Sequence, residues 1–588
     1  MSSSALKLLA ASGATDSATY VDDVFSTFLY TGNGADQSIE NGIDLAGEGG
    51  LVWIKDRDLT TSTSNHVLAD TEQGATKYLI ANSTSSYNQN GTTLTSFNND
   101  GFSVGLSSSF NRSNSGMVSW SFRKAPGFFD IVTYTGNGTA GRTVSHNLGS
   151  VPGVILIKNL STARSWAMYH RAVDSSPQGY FLILNNNDVK QIATEAEGGN
   201  AWNNTAPTST EFTLGDYNGV NENGDSFVAY LFAHDAQEFG TDEDEAIIKC
   251  GSFSGQGQID LGFEPQWILV KPYSQSYDWV LVDNMRGLPS QGNGGYSDPL
   301  YPNTNGAEST GMGITINATG FDNSTFGGTY PCIYMAIRRP FKPASEFAAT
   351  DLYYEAYNAG YTGGTINSGF SPDMTWGLPT NLYSRARFDT RLTAKKSSGF
   401  AYSFLQSFYT AVESTTTSYN GVSFNKVSNA FVTQPTAHAG YAYSNTSFNY
   451  RHLAWRRAPG FFDVTTYTGV DTNNTQIAHN LGVVPEMIWT KSRSNAQSWS
   501  VLTYDGTTGR QLSLNANSSG ATPPFGSIWG NGSSFVPPTS SVFTIGDYSN
   551  INTSGATYIA YLFASVAGIS KVGSYTGTGN DLNVDCGF

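Results

Sequence analysis

Short apolar runs alternate along the whole chain with polar turns rich in glycine, asparagine and serine. Leu51–Lys55 and Val154–Lys158 are apolar at successive positions, which is typical of strands buried on both faces, whereas neighbouring segments alternate apolar and polar residues. No segment has the 3.6-residue apolar period of an amphipathic helix. Several short strands joined by turns therefore predict an all-β fold built of tandem β-sandwiches, jelly-roll or lectin-like in type.

A large internal repeat shows that the chain contains a duplication. The hexapeptide Ala-Pro-Gly-Phe-Phe-Asp occurs at Ala125–Asp130 and again at Ala458–Asp463. His-Asn-Leu-Gly at His146–Gly149 recurs at His479–Gly482, separated by the same number of residues as the two hexapeptides. Coincidence does not produce such a series, so we infer that one large unit was copied.

A shorter period of about 105 residues divides each copy into modules. Each module starts with an aromatic residue followed by Ser or Thr and Gly, at Tyr30, Tyr134, Phe253, Tyr361, Tyr467 and Tyr575. We predict an N-terminal arm at residues 1–24, module 1 at 25–130, module 2 at 131–245, module 3 at 246–345, module 4 at 346–463, module 5 at 464–570, and the start of an incomplete sixth module at 571–588. Because a first strand alone has no sheet to join, we expect the natural protein to continue past Phe588.

The apolar strand near the start of four modules ends in a lysine. These lysines are Lys55, Lys158, Lys271 and Lys491. A lysine at a strand tip is usually solvated and discourages edge pairing. The alternative is a salt bridge to the next module. Module 4 departs from the pattern, because Asp373–Gly377 has the composition of a poor strand and no terminal lysine follows it.

Composition and charge exclude several classes of function. Only 13 % of the 588 residues are charged, about half the usual share, while 39 % are apolar, so the chain can form cores. The net charge of -16 argues against nucleic acid as a partner. No apolar stretch reaches the roughly 18 residues of a membrane span, so we expect no membrane insertion. The N-terminus lacks the basic leader of a secretion signal.

Candidate chemical groups are few, and each has a structural interpretation. His146 and His479 precede Asn-Leu-Gly, but we align them with Ile43 and Ile259, which indicates a strand position rather than catalysis. The aspartates of two Gly-Asp-Tyr sequences, Asp216 and Asp547, can bind sugar or Ca²⁺ or serve as turn formers, and we favour turns.

The remaining candidates are weaker. The acidic run Asp242–Glu245 is typical of a solvated linker, with a cation site as the alternative. Cys250 and Cys332 fall on the first and last strands of module 3, where we expect buried free thiols. Triplets for glycosylation at Asn82, Asn137 and Asn159 follow from composition. The sequence thus predicts no enzyme and assigns no catalytic, cofactor-binding or metal residues.

The two ends of the predicted arm and the repeated motifs resemble a known class of proteins. Ser4–Gly13 and Thr19–Gly32 are similar to the opening of virion proteins from marine tailed phages, especially those of cyanobacteria. The motifs His-Asn-Leu-Gly-x-x-Pro and Ala-Pro-Gly-Phe-Phe-Asp resemble their tail-fibre-like repeat domains. The resemblance covers most of the chain and is weakest in module 4. It implies a virion structural protein, assembled in the host cytoplasm, that serves as a tail fibre or tail-associated appendage and contributes to host-surface attachment.

The resemblance also implies partners. We expect a homo-oligomer, for which a trimer is one candidate, because tail appendages follow rotational symmetry. The N-terminal arm is expected to dock on other tail proteins, and the Tyr, Asn and Ser content suits a host-surface glycan. Two alternatives remain, a secreted bacterial adhesin or extracellular filament and a virion-borne polysaccharide depolymerase. The position within the virion, as fibre, tail decoration or capsid decoration, is also open.

Overall fold

The computed structural model describes residues 18–588 with gaps at 59–63, 196–198, 291–296, 310, 325–329, 359–362, 380–385, 394–395, 398–399, 402–403, 408–409, 414–421, 425, 434–448 and 517–524. Antiparallel strands account for almost all of the regular structure in this part of the chain. Its α-helices are single turns of four residues: α1 (Val21–Val24), α2 (Ser108–Asn111), α3 (Asn218–Asn221), α4 (Phe525–Ile528) and α5 (Ser549–Asn552). Short 3-10 turns lie at Pro177–Gly179, Ala193–Glu195, Ala344–Glu346, Ala349–Asp351 and Arg391–Thr393.

The strands fall into five successive sets. Module 1 contains β1 (Phe25–Thr31), β2 (Gln37–Glu40), β3 (Gly50–Asp56), β4 (Val67–Asp70), β5 (Lys77–Ile80), β6 (Asn88–Gln89), β7 (Leu94–Asn98), β8 (Gly101–Val104) and β9 (Gly116–Arg123). Module 2 contains β10 (Phe129–Thr135), β11 (Arg142–Ser145), β12 (Val154–Asn159), β13 (Ala167–His170), β14 (Tyr180–Ile183), β15 (Gln191–Ile192), β16 (Glu211–Leu214) and β17 (Ser226–Phe232). Module 3 contains β18 (Ile248–Ser254), β19 (Gly257–Asp260), β20 (Pro265–Pro272), β21 (Val280–Asp283), β22 (Ile314–Asn317), β23 (Gly320–Asn323) and β24 (Pro331–Arg338).

The second part of the chain repeats this succession. Module 4 contains β25 (Tyr353–Asn358), β26 (Gly364–Asn367), β27 (Met374–Pro379), β28 (Arg387–Thr390), β29 (Lys396–Ser397), β30 (Phe400–Ala401), β31 (Phe404–Gln406), β32 (Val422–Ser423), β33 (Ala430–Thr433) and β34 (Tyr450–Trp455). Module 5 contains β35 (Phe462–Thr468), β36 (Thr475–Ala478), β37 (Met487–Ser492), β38 (Ser500–Tyr504), β39 (Gly509–Leu512), β40 (Val542–Ile545) and β41 (Thr557–Phe563).

Every module has one main sheet in which the first strand pairs with the last, and the last pairs with the apolar strand. The main sheets have the orders β1-β9-β3-β4-β5-β6, β10-β17-β12-β13-β14-β15, β18-β24-β20-β21, β25-β34-β27-β28-β31 and β35-β41-β37-β38-β39. A smaller sheet faces each main sheet, with the orders β2-β8-β7, β11-β16, β19-β23-β22, β26-β33-β32 and β36-β40. The pair β29-β30 forms a further small sheet. The prediction of an all-β fold built of tandem β-sandwich modules is confirmed.

The apolar strand of module 1 contributes alternate residues to two different cores. All seven residues of β3 are buried. Val52 and Ile54 pack with Phe102 of the small sheet inside module 1. Leu51 and Trp53 point the other way and join a core shared with other modules. Successive apolar residues therefore do reflect a strand enclosed between two layers.

The outward faces of the first three main sheets meet in one apolar core. Matched positions come from all three apolar strands, namely Leu51, Trp53, Val154, Leu156, Trp267 and Leu269. Polar contacts also join module 1 to module 2, module 2 to module 3, and module 3 back to module 1. Modules 1–3 therefore form a ring closed around a shared core, here called the closed ring. Modules 4 and 5 pack on each other through Phe388, Trp499 and Tyr561, and are here called the open pair.

Several sequence expectations need correction. The boundaries set at 130/131 and 463/464 fall inside β10 and β35, because Ala-Pro-Gly-Phe-Phe-Asp is both a turn and the start of the next strand. Asp373–Gly377 was expected to be a poor strand, yet β27 pairs on both sides, with β28 and β34. Tyr361, the aromatic residue of the recurring motif in module 4, lies outside the described residues.

The two termini of the described chain differ in packing. Residues 18–24, assigned from the sequence to an extended arm, include the buried Tyr20, Val21 and Val24 of the α1 turn. The Asp22 carboxylate there accepts hydrogen bonds from the backbone N–H groups of Phe341 and Lys342, between modules 3 and 4. Residues 571–588 form no strand and are exposed except for the half-buried Val572. No described helix has the length and apolar character needed to cross a membrane.

Candidate functional site

The strand-end lysines are enclosed at the interfaces between modules. Lys158 of module 2 has no exposed surface, and its Nζ donates to the carbonyl of Thr84 in module 1 at 2.8 Å and to that of Arg164. Burial lowers the pKa of Lys158 to about 8. The fully buried Lys271 and Lys491 repeat the contact, with the carbonyls of Asn187 in module 2 (3.0 Å) and Thr410 in module 4 (3.2 Å). The prediction of a solvated tip is wrong. These three lysines do bond to the neighbouring module, but the acceptor is a backbone carbonyl of the preceding module and not a carboxylate. Lys55 is also fully buried, and its Nζ donates to the carbonyl of Asp56 in its own strand at 2.8 Å.

A tryptophan accompanies the lysine at the same three interfaces. The indole N–H groups of Trp166, Trp279 and Trp499 donate to carbonyls of the preceding module, those of Ile80 (2.9 Å), Ile183 (3.0 Å) and Gln406 (3.0 Å). At each interface the residue whose carbonyl accepts from the tryptophan lies four residues before the residue whose carbonyl accepts from the lysine. Module 4 has Ala386 and Leu378 at the matching positions, so it lacks both groups. Lysine and tryptophan thus form one repeated contact that joins a module to the one before it.

A second polar contact closes the ring between its last and first modules. The indole N–H of Trp120 in module 1 donates to Asp283 of module 3 at 3.0 Å. Asp283 also accepts from Nε of Arg286 at 2.6 Å, and Arg286 donates to Glu308 at 2.9 Å. All four side chains are buried. Charge-assisted bonds therefore fix the point where the ring closes.

The matching residues at the other joints also carry polar contacts. Between modules 2 and 1 the hydroxyl of Tyr230 donates to Asp70 at 2.7 Å, and burial raises the pKa of Asp70 to about 6. Between modules 2 and 3 Nε2 of His170 donates to the carbonyl of Tyr334 at 3.1 Å. Burial lowers the pKa of His170 to about 4, so the imidazole is neutral. In the open pair Thr390 and Tyr561 make the corresponding bond at 2.9 Å.

A buried cluster of charges joins the closed ring to the open pair. Arg457 of module 4 makes two bonds of 2.7 Å to Glu264 of module 3 and one of 2.8 Å to Asp463 of module 5. Arg339 also donates to Asp463, at 3.2 Å. Burial alone would raise the pKa of Asp463, but Arg457 and Arg339 hold it below its ordinary value. Because four charges are removed from water together, this joint depends on every partner being present.

Two polar clefts flank this cluster. The larger, of about 400 Å³, is lined by charged groups from both halves of the molecule, among them Asp22, Glu40, Arg339, Asp373 and Arg456. The second, of about 370 Å³, is lined by residues that include Asp242, Asp244, Glu264 and His479. Both clefts therefore place charged side chains at the junction of the two halves.

The two histidines singled out from the sequence form turns. Nδ1 of His146 accepts the backbone N–H of Leu148 at 3.3 Å, and Nδ1 of His479 does the same for Leu481 at 3.2 Å. In module 1 the side-chain oxygen of Asn41 accepts from the N–H of Ile43 at 3.2 Å. The residue equivalent to His146 is therefore Asn41, and in module 3 it is Leu261; the alignment with Ile43 and Ile259 was wrong by two residues.

The acidic candidates also make local contacts. Asp216 accepts the backbone N–H of Asn200 at 2.7 Å, and Asp547 bonds the side-chain amide of Asn473 at 2.9 Å. Within Asp242–Glu245 the first three residues are exposed, and Glu245 pairs with Arg338. In the part of the chain that the structure covers, no three His, Cys, Asp or Glu side chains are arranged to hold a metal ion.

The cysteines of module 3 are buried and free, as predicted. Cys250 pairs in register with Met335, and Cys332 pairs with Phe253, so the two thiols lie on opposite faces of the main sheet. Of the glycosylation candidates, Asn159 is buried and bonded to Asp225, whereas Asn137 is exposed. Asn82 bonds the neighbouring Asn65.

Sequence reasoning missed the contacts that matter most. Lys158 and Trp166 recur as Lys491 and Trp499, but a repeat does not reveal which face meets another module. The basic pair Arg456–Arg457 before the hexapeptide was a usable signal for the charged joint, since two adjacent arginines in so weakly charged a chain need acidic partners. No sequence pattern identified Glu264 and Arg339 as members of the charged joint.

Comparison with known proteins leads to a family but not to a function. No curated protein and no solved structure matches the chain. A sequence family described as a domain of unknown function, DUF7483, matches residues 21–338 and again residues 344–588. The first match spans the closed ring, and the second spans the open pair and the residues after it. Since the two matches together cover nearly the whole chain, the protein belongs to the DUF7483 family.

Proposed function

We propose that this protein is a structural component of a tailed-phage virion, a tail fibre or tail-associated appendage that contributes to attachment to the host surface. The observation that carries the proposal is the closed ring, in which one module fold is repeated and interlocked by buried lysine and tryptophan contacts. Such a scaffold is built for rigidity and repeated display of one surface. The similarity of Thr19–Gly32 and of the repeated motifs to phage virion proteins supports the same role.

The contacts of the candidate chemical groups favour a structural over a catalytic role. His146 and His479 use Nδ1 to hold a turn, and burial lowers the pKa of both imidazoles. Asp216 and Asp547 bond loop amides. These groups are engaged in maintaining strand connections, which is what a scaffold requires.

A role in attachment is supported by the surface of the modules. Large aromatic side chains reach solvent at Tyr87, Tyr277, Tyr357 and Tyr575. Tyrosine next to Ser and Asn gives rigid contact area together with adaptable hydrogen bonds, and this combination suits glycan surfaces. We further infer a homo-oligomer, with a trimer as one candidate, docked on other tail proteins by residues near the N-terminus.

The test is to locate the protein in phage particles. Virions of a phage that encodes this chain are purified by density gradient, treated with a gold-labelled antibody and viewed by negative stain. Gold at the tail supports the proposal, and antibody fragments that slow adsorption to host cells support the attachment role. Protein found only outside particles, with a processed N-terminus, would establish an adhesin or extracellular filament instead.

A second assay separates binding from enzymatic degradation. The purified protein is incubated with host-envelope polysaccharide, and the polymer length is followed by size-exclusion chromatography. Unchanged polymer length together with sedimentation of the protein on host cells supports attachment. Turnover of the polymer that one carboxylate substitution abolishes would identify a depolymerase and overturn the structural assignment.

A further inference from the structure

The open pair exposes an apolar surface at positions that are buried in the closed ring. By strand register, Trp376 and Trp455 of module 4 occupy the positions of Trp53 and Phe122 in module 1. Trp489 and Phe563 of module 5 occupy the positions of Leu156 and Phe232 in module 2. In the closed ring all four positions are buried. In the open pair all four are only partly buried, although three of them carry tryptophan. The main sheets of modules 4 and 5 therefore present a face whose counterpart in modules 1 and 2 is covered.

The exposure of one leucine, which recurs at the matching position in every module, shows whether another module covers that edge of the main sheet. The matched residues Leu79, Leu182, Leu300 and Leu405 are at most 2 % exposed, and Leu512 in module 5 is 40 % exposed. Each of the first four has another module packed on it. Leu512 occupies the same position on β39, with no module beyond it in the described residues.

The closed ring shows what covers this position. Leu182 of module 2 is buried where module 3 seats, next to the bond from Trp279 to the Ile183 carbonyl. Module 3 also supplies Trp267, Leu269 and Met335 to the shared core. In module 5 the residues equivalent to Leu182 and Ile183 are Leu512 and Ser513.

We propose that the apolar face shared by modules 4 and 5 is an interface for a third module of the module 3 type, seated on the open pair as module 3 seats on modules 1 and 2. The occupant presents the alternating apolar face of its central strands to Trp376, Trp455 and Trp489 and covers Leu512. A tryptophan matching Trp279 donates to the carbonyl of Ser513. The inference concerns assembly and does not depend on the proposed function.

The test supplies the occupant and reads the accessibility of one residue. In one protein residues 571–588 are replaced by a copy of residues 249–338, since Lys571–Gly577 matches Lys249–Gly255 in sequence. L512C is introduced into this extended chain and into the 588-residue chain. Reaction with a maleimide is followed at the Leu512→Cys peptide by mass spectrometry, so that other cysteines do not interfere. We expect labelling at least about ten times slower in the extended chain.

Two matched variants calibrate the labelling rates. L182C, at the covered position of module 2, is expected to react slowly in both chains. I192C, in β15 and 44 % exposed, is expected to react quickly in both. These controls distinguish local covering of Leu512 from a general change in the protein.

Three outcomes would overturn the proposal. The first is an unchanged labelling rate at L512C in an extended chain whose graft resists protease. The second is a graft that stays protease-sensitive, because the same sequence folds when it seats on modules 1 and 2. The third is slow labelling of L512C in the unextended chain together with a dimeric mass, which would assign the face to a second copy.

Discussion

At the scale of single residues, the enclosed lysines are the most consequential feature. Lys158 loses its hydration and is bonded to two carbonyls, so the charged form is penalised by burial and its pKa falls to about 8. The same shift to about 8 occurs at Lys55, Lys271 and Lys491. In the unfolded chain these lysines keep the ordinary pKa of 10.5. The interfaces between modules are therefore coupled to pH.

We expect the free energy of unfolding to rise as the pH is raised from about 8 to 9, because the native lysines release protons that the unfolded chain still holds. Above that range the buried thiol of Cys250 and hydroxyl of Tyr230, whose pKa values are raised by burial, oppose the effect. K158M should reduce the slope by up to about 1.4 kcal/mol per pH unit. Urea unfolding at several pH values measures it.

The control for this measurement is a lysine on the surface. Lys571 is exposed, so K571M should leave the slope of the wild-type protein unchanged. Equal slopes in K158M and wild type would show that Lys158 is not a source of the pH dependence.

At the scale of elements, the two faces of one strand serve different assemblies. In β12, Leu156 and Ile157 lie on opposite faces of the main sheet. By strand register Leu156 matches Trp53 on the side of the shared core, and Ile157 matches Ile54 on the side of the small sheet. Of two residues adjacent in sequence, one therefore stabilises the packing between modules and the other the packing inside a module. This division follows directly from the two-residue period of a strand.

Truncating each residue in turn should separate these levels. L156A and I157A both remove a buried aliphatic side chain, at a cost of about 2–5 kcal/mol. L156A is expected to accelerate hydrogen exchange in the main sheets of modules 1 and 3 as well as 2, because they share its core. I157A should affect mainly β11 and β16. Hydrogen exchange with mass spectrometry resolves the two patterns, and indistinguishable patterns would contradict the division.

Much of the strand structure could be predicted from the sequence, and each wrong prediction has a physical reason. Apolar runs such as Leu51–Lys55 correctly predicted strands between layers, because successive buried positions require two covered faces. The solvated position predicted for Lys158 was wrong because a neighbouring module supplies the acceptors. His146 was misaligned because Asn41 fills its place with a different chemical group, an amide oxygen in place of an imidazole nitrogen. Apart from the adjacent arginines Arg456–Arg457, these contacts between modules leave no local pattern in a single sequence.

At the scale of the whole molecule, the charged joint helps to hold the two halves together, alongside apolar packing between modules 3 and 5. R457M would leave Glu264 and Asp463 buried with Arg339 as the only arginine of the cluster, which should cost about 3–5 kcal/mol. Arg451 offers a matched control, since it pairs with Glu355 at the surface with its side chain 54 % exposed. R451M should change stability by at most about 1 kcal/mol. Denaturant unfolding measures the loss of unfolding free energy in R457M and in R451M. Equal losses would show that the buried charged joint contributes no more to stability than a surface ion pair.

The difference between the closed ring and the open pair should also appear in how the molecule melts. Each main sheet of the ring shares a core with two others, so losing one module exposes the other two, and modules 1–3 should unfold as one cooperative unit. In the open pair, Trp376, Trp489 and Phe563 already contact solvent, so less apolar area stabilises it.

We therefore expect two transitions in differential scanning calorimetry, with the open pair unfolding at the lower temperature. Hydrogen exchange measured between the two transitions should show β27, β34 and β37 unprotected while β3, β12 and β20 stay protected. R457M should lower the first transition more than the second, because Arg457 and Asp463 belong to the open pair and unfold with it. A single transition, or earlier loss of protection in β3, would mean that the charged joint makes all five modules one cooperative unit.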